Sequence, residues 1–129
     1  MSETITWTQD VRLVSGLRLT SSRIVTVDAY DVIEVDIGAS ATDLEVEVQP
    51  SAASQIQFLL ITPSGTVDGL RYKVNSAASP TEINVDSTQT FTSTEAVELL
   101  GADPTSLFFS SDAGNDATVQ ILVGRSATP

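Results

Sequence analysis

Between Asp28 and Glu47 the chain places seven carboxylates, Asp28, Asp31, Glu34, Asp36, Asp43, Glu45 and Glu47, with no basic residue among them. Such a block is open to three kinds of chemistry. Oxygen ligands suit a hard cation such as calcium. Two carboxyl groups flanking a glycosidic bond serve as acid and base. A one-sided acidic surface also complements a basic partner. The rest of the inventory narrows the field, because the chain has no histidine and no cysteine. That excludes a thiolate nucleophile, a disulfide framework, a Cys or His zinc site and a Ser-His-Asp triad. Seventeen acidic residues against six basic give a net charge of −11, which argues against nucleic-acid binding, since phosphate neutralisation needs clustered Lys and Arg.

Each remaining chemistry has a plainer reading beside it. For calcium the candidate ligands are Asp28, Asp31, Asp112 and Asp116. The spacing is not that of an EF-hand, however, and the loop Asp112-Ala113-Gly114-Asn115-Asp116 lacks a downstream bidentate Glu. For glycoside hydrolysis no pair stands out, because exposed strand positions do not push two carboxyl pKa values apart. Gly65-Thr66-Val67-Asp68-Gly69 is not followed by Gly-Lys-Ser/Thr, so it is a turn and not a phosphate loop. Trp7, the single tryptophan, reads as a core or interface residue rather than a ligand platform. No cofactor is expected and no catalytic set is assembled, so the chain reads as a non-enzyme. A charge run is by default a solvated face.

The elements that must carry these residues are β-strands. The 129 residues include 16 Thr, 14 Val and 8 Ile, β-branched side chains that suit a pleated surface. With 41% hydrophobic and 18% charged residues the chain holds enough apolar material for one core and no more than one domain. Ile33, Val35 and Ile37 alternate with Glu34 and Asp36, and Leu44, Val46 and Val48 alternate with Glu45, Glu47 and Gln49. A period of 2 places the first sets in a core and the acids in water. If the two segments pair as a hairpin, Glu34, Asp36, Glu45 and Glu47 share one outward face.

Phe58 to Ile61 is apolar on both parities, the pattern of a central strand covered on both sides. Thr62-Pro63-Ser64-Gly65 reads as a turn. Val11 to Val14, Gly16 to Thr20 and Ile24 to Val27 read as short runs broken at Ser15-Gly16 and Ser21-Ser22. Thr92 to Gly101 is the one helical candidate, with Thr92 and Glu95 as a capping box and Gly101 at C′. Leu107 to Phe109 and Thr118 to Val123 read as a closing strand pair. The expectation is one all-β sandwich over residues 1–129, jelly-roll-like or Ig-like, of eight to ten short antiparallel strands with one short helix near 93–100. Short tails are expected at 1–4 and 126–129.

The amino terminus has neither a basic nor an apolar signal region, and the longest apolar run, Phe58 to Ile61, is four residues against the ~20 of a membrane helix. Synthesis in a cytoplasm, without secretion and without a membrane partner, is therefore expected. The combination of small size, acidity, abundant Ser, Thr and Ala, and no Cys or His resembles the small accessory proteins of tailed-phage virions, of the head decoration or cement type. The resemblance extends over the whole chain and includes runs such as Ala41 to Ser54 and Val119 to Arg125. It implies a structural protein of the virion, made in the host cytoplasm, that binds a shell or tail protein as a symmetric dimer or trimer and stabilises the shell. On that reading Glu34, Asp36, Glu45, Glu47 and Trp7 are the interface candidates. A glycan- or ligand-binding sandwich and a calcium-stabilised structural domain are the alternatives.

Overall fold

A computed structural model describes residues 3–38, 41–48, 55–65, 69–100, 105–111 and 116–126. Among these residues ten strands run in chain order: β1 Glu3–Arg12, β2 Arg18–Val27, β3 Ala29–Ile37, β4 Leu44–Glu47, β5 Gln55–Gly65, β6 Arg71–Val74, β7 Ile83–Asn84, β8 Gln89–Phe91, β9 Ser106–Ser110 and β10 Ala117–Ser126. Every pairing among them is antiparallel. One four-stranded sheet has the order β3-β10-β5-β8, the other β4-β9-β6-β7, and β1-β2 forms a separate ribbon. The chain changes sheet at each connection from β3 to β10 except between β6 and β7. This order is the jelly roll, two four-stranded sheets wound together as Greek keys, and the Ig-like alternative is not adopted.

The inward parities meet in one core that includes Ile37, Val46, Leu59, Ile61, Leu107, Val119 and Ile121. At its centre Tyr72 and Phe109 are fully buried and their ring centroids lie 5.5 Å apart with the planes tilted by 47°. Tyr72 belongs to one sheet, yet its hydroxyl donates 2.9 Å to Gln89 Oε1 in β8 of the other. Gln89 also donates from Nε2 to the Asn84 carbonyl of β7 at 2.8 Å, so its side chain ties the layers together through two polar contacts.

Several local expectations are corrected. The run Thr62-Pro63-Ser64-Gly65 is the end of β5, with Pro63 opposite Val119. Proline is accommodated because β8 pairs only with Leu59–Ile61, so no second ladder needs an N–H from residue 63. The short helix expected near 93–100 is present, as one α-turn, Thr94–Val97, followed by a 3-10 turn, Glu98–Leu100. Its cap is Ser93 and not Thr92: Ser93 Oγ accepts the Ala96 N–H at 3.2 Å and its carbonyl accepts the Val97 N–H at 3.0 Å. Gly101 lies outside the described residues. The expected pair of Leu107–Phe109 with Thr118–Val123 does not form, because β9 and β10 belong to opposite sheets. β1 begins at Glu3 and β10 runs through Ser126, inside the stretches expected as tails.

Candidate interaction surface

The acidic block is divided between the two sheets. β3 pairs with β10 and β4 with β9, so the hairpin that would have gathered Glu34, Asp36, Glu45 and Glu47 on one face does not exist. The alternation holds with one exception: Glu34, Asp36, Glu45 and Glu47 are all exposed and Ile37, Val46 and Val48 are buried, but Leu44, expected in the core, is exposed at the start of the edge strand β4. Each acidic strand is an edge of its own sheet. The division relieves the like-charge opposition that a β3–β4 pair would impose. Glu34 and Asp36 instead face polar partners, accepting from Gln120 Nε2 at 3.0 Å and Thr118 Oγ1 at 3.1 Å. Glu45 accepts from the Ser106 hydroxyl at 3.1 Å. Among the described residues none of these four carboxylates forms an ion pair.

Of the candidate metal ligands, Asp31 is held by the Arg125 guanidinium at 2.7 Å, and Asp28 joins β10 through its N–H, bonded to the Arg125 carbonyl at 3.0 Å. Asp116 lies at the other end of β10, and Asp112 lies outside the described residues. Among the described residues no three carboxylates converge on a metal position.

The structure adds a feature that the strand-by-strand reading of the chain divides into fragments. β1 and β2 form one long ribbon, in unbroken register from Glu3 opposite Val27 to Arg12 opposite Arg18. Its turn is closed by Leu13 N–H to Leu17 O at 2.8 Å and Gly16 N–H to Leu13 O at 2.9 Å. Gly16 has φ +105°, a conformation that side chains disfavour. Ten residues at about 3.3 Å each make an arm roughly 30 Å long. Its base packs on the sandwich: Val25 and Val27 are buried, and Ile5 and Val27 lie over Gly124 of β10 beside Phe58 of β5. Each fully buried aliphatic side chain there contributes about 1.5–3 kcal/mol.

Beyond the base, every residue from 8 to 24 is exposed. The exposed side chains include Val11, Leu13, Val14, Leu17, Leu19 and Ile24. Because opposite residues of an antiparallel pair share a face, Ile5, Trp7, Gln9 and Val11 lie on one face with Val25, Arg23, Ser21 and Leu19. The face that is buried at the base therefore continues, uncovered, to the tip. The other face carries Asp10 between Arg12 and Arg18, with N–O distances of 3.1 Å to each. Trp7 marks the boundary. It is half-buried and lines a groove of about 310 Å³ with Thr8, Gln9, Thr88 and Thr90.

Beneath the arm, the register sorts the outer face of β3-β10-β5 into rows. Tyr30, Gly124 and Phe58 lie under or beside the arm, and the next row is Val32, Leu122 and Leu60. Glu34 and Asp36 head the two rows beyond it, beside Gln120 and Thr118. The signal for the arm was present in the sequence as Thr4, Thr6 and Thr8 alternating with Ile5 and Trp7, and as Ser15-Gly16 between two β-rich runs. Against protein-family models, curated proteins and solved structures alike, the chain finds no match.

Proposed function

We propose that this chain is a non-enzymatic structural protein of a virus particle, a decoration protein that binds a phage shell as a symmetric oligomer and stabilises it. The observation that supports this reading is the arm. A two-stranded ribbon is marginal in water on its own, and open edges with apolar side chains invite pairing with another chain. An arm about 30 Å long whose outer half is exposed, with Val11, Leu13, Leu17 and Leu19 at its end, gains its stability from a protein surface. The jelly roll is a common architecture of viral coat domains, although a fold by itself assigns no function. The virion is the compartment this reading implies, with synthesis in the host cytoplasm.

The test is to add the purified protein to parent shells that lack it. Saturable binding at a fixed copy number per shell, with a rise in the temperature at which shells rupture, is the expected result. Removing residues 8–24 should abolish both. Shells that bind no protein, or bind the arm-deleted chain equally well, would overturn the reading.

One observation favours a second reading, a glycan-binding module: the groove beside Trp7 is lined by Thr8, Gln9, Thr88 and Thr90, an aromatic ring beside hydroxyl and amide groups. That reading requires saturable quenching of Trp7 fluorescence by a glycan, and a flat glycan-array response removes it.

A further inference from the structure

The free half of the arm and the outer face of β3-β10-β5 carry matching patterns of opposite sign. On the arm, Leu19, Ser21 and Arg23 share one face of β2, and Val11 lies opposite Leu19. On the sheet, Val32, Glu34 and Asp36 share the outward face of β3, and Leu122 lies opposite Val32. In each case an apolar residue and a charge stand four residues apart on one strand face, a separation of about 13 Å. Val32 is 68% exposed and Leu19 62%. Arg23 has no ion pair among the described residues. The charge of the whole molecule divides in the same way: residues 3–27 hold three arginines and two acids, whereas the remainder holds fifteen acids and three basic residues. Two bodies of that charge repel unless the arm comes between them.

We propose that the occupant of this sheet face is the arm of a second copy of the chain. Val11 and Leu19 of one copy pack on Val32 and Leu122 of the other, and Arg23 meets Glu34 and Asp36. The partner's arm then lies alongside the sheet's own arm, which covers the adjoining row at Gly124 and Phe58, so the two ribbons form a second layer over the sheet. Ribbon on sheet is ordinary aligned β packing. Reciprocal exchange closes a two-fold dimer, and one-way exchange closes a ring. The proposal deepens the decoration reading and rests on it for its biological setting.

The experiment uses the full chain in solution, without shells. Sedimentation across a concentration series is expected to show a closed oligomer at low salt. Leu19→Glu and Val32→Glu should each weaken it at least tenfold without lowering the melting temperature of the body, since both side chains are exposed. Arg23→Glu and Glu34→Arg should each weaken it, and mixing those two variants should restore association. The chain has no cysteine, so Leu19→Cys and Val32→Cys supply single thiols. Oxidising a mixture of these two variants should give several-fold more disulfide dimer than either alone. A monomer at every concentration, or an oligomer indifferent to Leu19→Glu and Val32→Glu, overturns the exchange. Failure of an intact oligomer to bind shells overturns decoration alone.

Discussion

Gly124 lies directly beneath Val27: a Cβ at position 124 comes within 2.9 Å of Val27 Cγ1 and equally of Ile5 Cδ1. The glycine is what lets the base of the arm sit down on β10. Gly124→Val should therefore lift the arm rather than break the sandwich, because the crowded atoms belong to the arm while the Phe58 Cβ, at 3.5 Å, is in ordinary contact. Overpacking of this kind costs about 1–3 kcal/mol. The expected outcome is faster trypsin cleavage at Arg12, Arg18 and Arg23 and faster amide exchange over residues 3–27, with β5 and β10 still protected. Equal loss of protection in β10 would show that the arm and body are one cooperative unit.

The polar tie between Tyr72 and Gln89 gives a prediction with a defined pH sign. Burial raises the Tyr72 phenol above its ordinary value, because a phenolate in the core loses its hydration. The folded state holds this proton more tightly than the unfolded chain does. Stability from this source is thus fully present below the ordinary tyrosine pKa of about 10 and is lost as the pH rises above it. Tyr72→Phe should cost about 0.5–1.5 kcal/mol at neutral pH, the net value of a hydrogen bond. It should also flatten the alkaline limb of the stability curve, measured by urea melts from pH 7 to 11. An unchanged alkaline limb in Tyr72→Phe would assign that loss to other groups.

Asn75 follows β6 directly and lies in the left-handed region, with φ 68°. Its Oδ1 accepts from Thr105 N at 2.7 Å, from Thr105 Oγ1 at 3.1 Å and from Ser106 N at 3.3 Å. The side chain thus anchors the start of β9, and the backbone needs a residue that tolerates positive φ. Asn75→Ala loses both features and should destabilise by about 2–4 kcal/mol, while Asn75→Gly keeps the backbone and should lose about 1–3 kcal/mol, the cost of donors left without their acceptor. Thermal melts of the two variants check the order. Equal losses would remove the backbone part of the argument.

What could be read from the chain follows from where water is. β3 and β4 were legible because each has one wet and one dry face, so Val35 and Glu34, or Val46 and Glu45, differ in environment and hence in type. Their pairing was not legible. Alternation reports the face a residue points to and carries nothing about which strand lies alongside, and the jelly roll places β3 and β4 on opposite sheets. The arm was the reverse case. Both faces beyond Trp7 are wet, so Ser21 and Ser22 in the middle of β2 look like a loop, and one ten-residue strand reads as two short runs. The candidate site was legible only as an acidic block, because its complement, Leu19 and Arg23, lies in the segment that has no dry face to declare it.

The ion pair of Arg125 and Asp31 supplies the last test. The two side chains lie on the inward parity of neighbouring strands, Asp31 opposite Val123 and Arg125 two residues beyond it, at one end of the core. The N–O distance is 2.7 Å, and the exposure is unequal: the arginine side chain is 12% exposed and the aspartate 46%. The guanidinium is therefore the partner that depends on the pair, since it has exchanged most of its water for one carboxylate. Asp31→Asn leaves that charge without its counter-ion and should cost about 1.5–3 kcal/mol, the scale of a hydrogen bond to a charged group. Arg125→Met keeps the aliphatic stem over the core and removes the buried charge, so it should cost less than Asp31→Asn, and the double variant should be no worse than Asp31→Asn alone. Urea melts of all three at low and high salt decide the matter. If Arg125→Met is the more damaging variant, the pair stabilises the fold by attraction, and its role is not merely to neutralise a charge that the end of the core has enclosed.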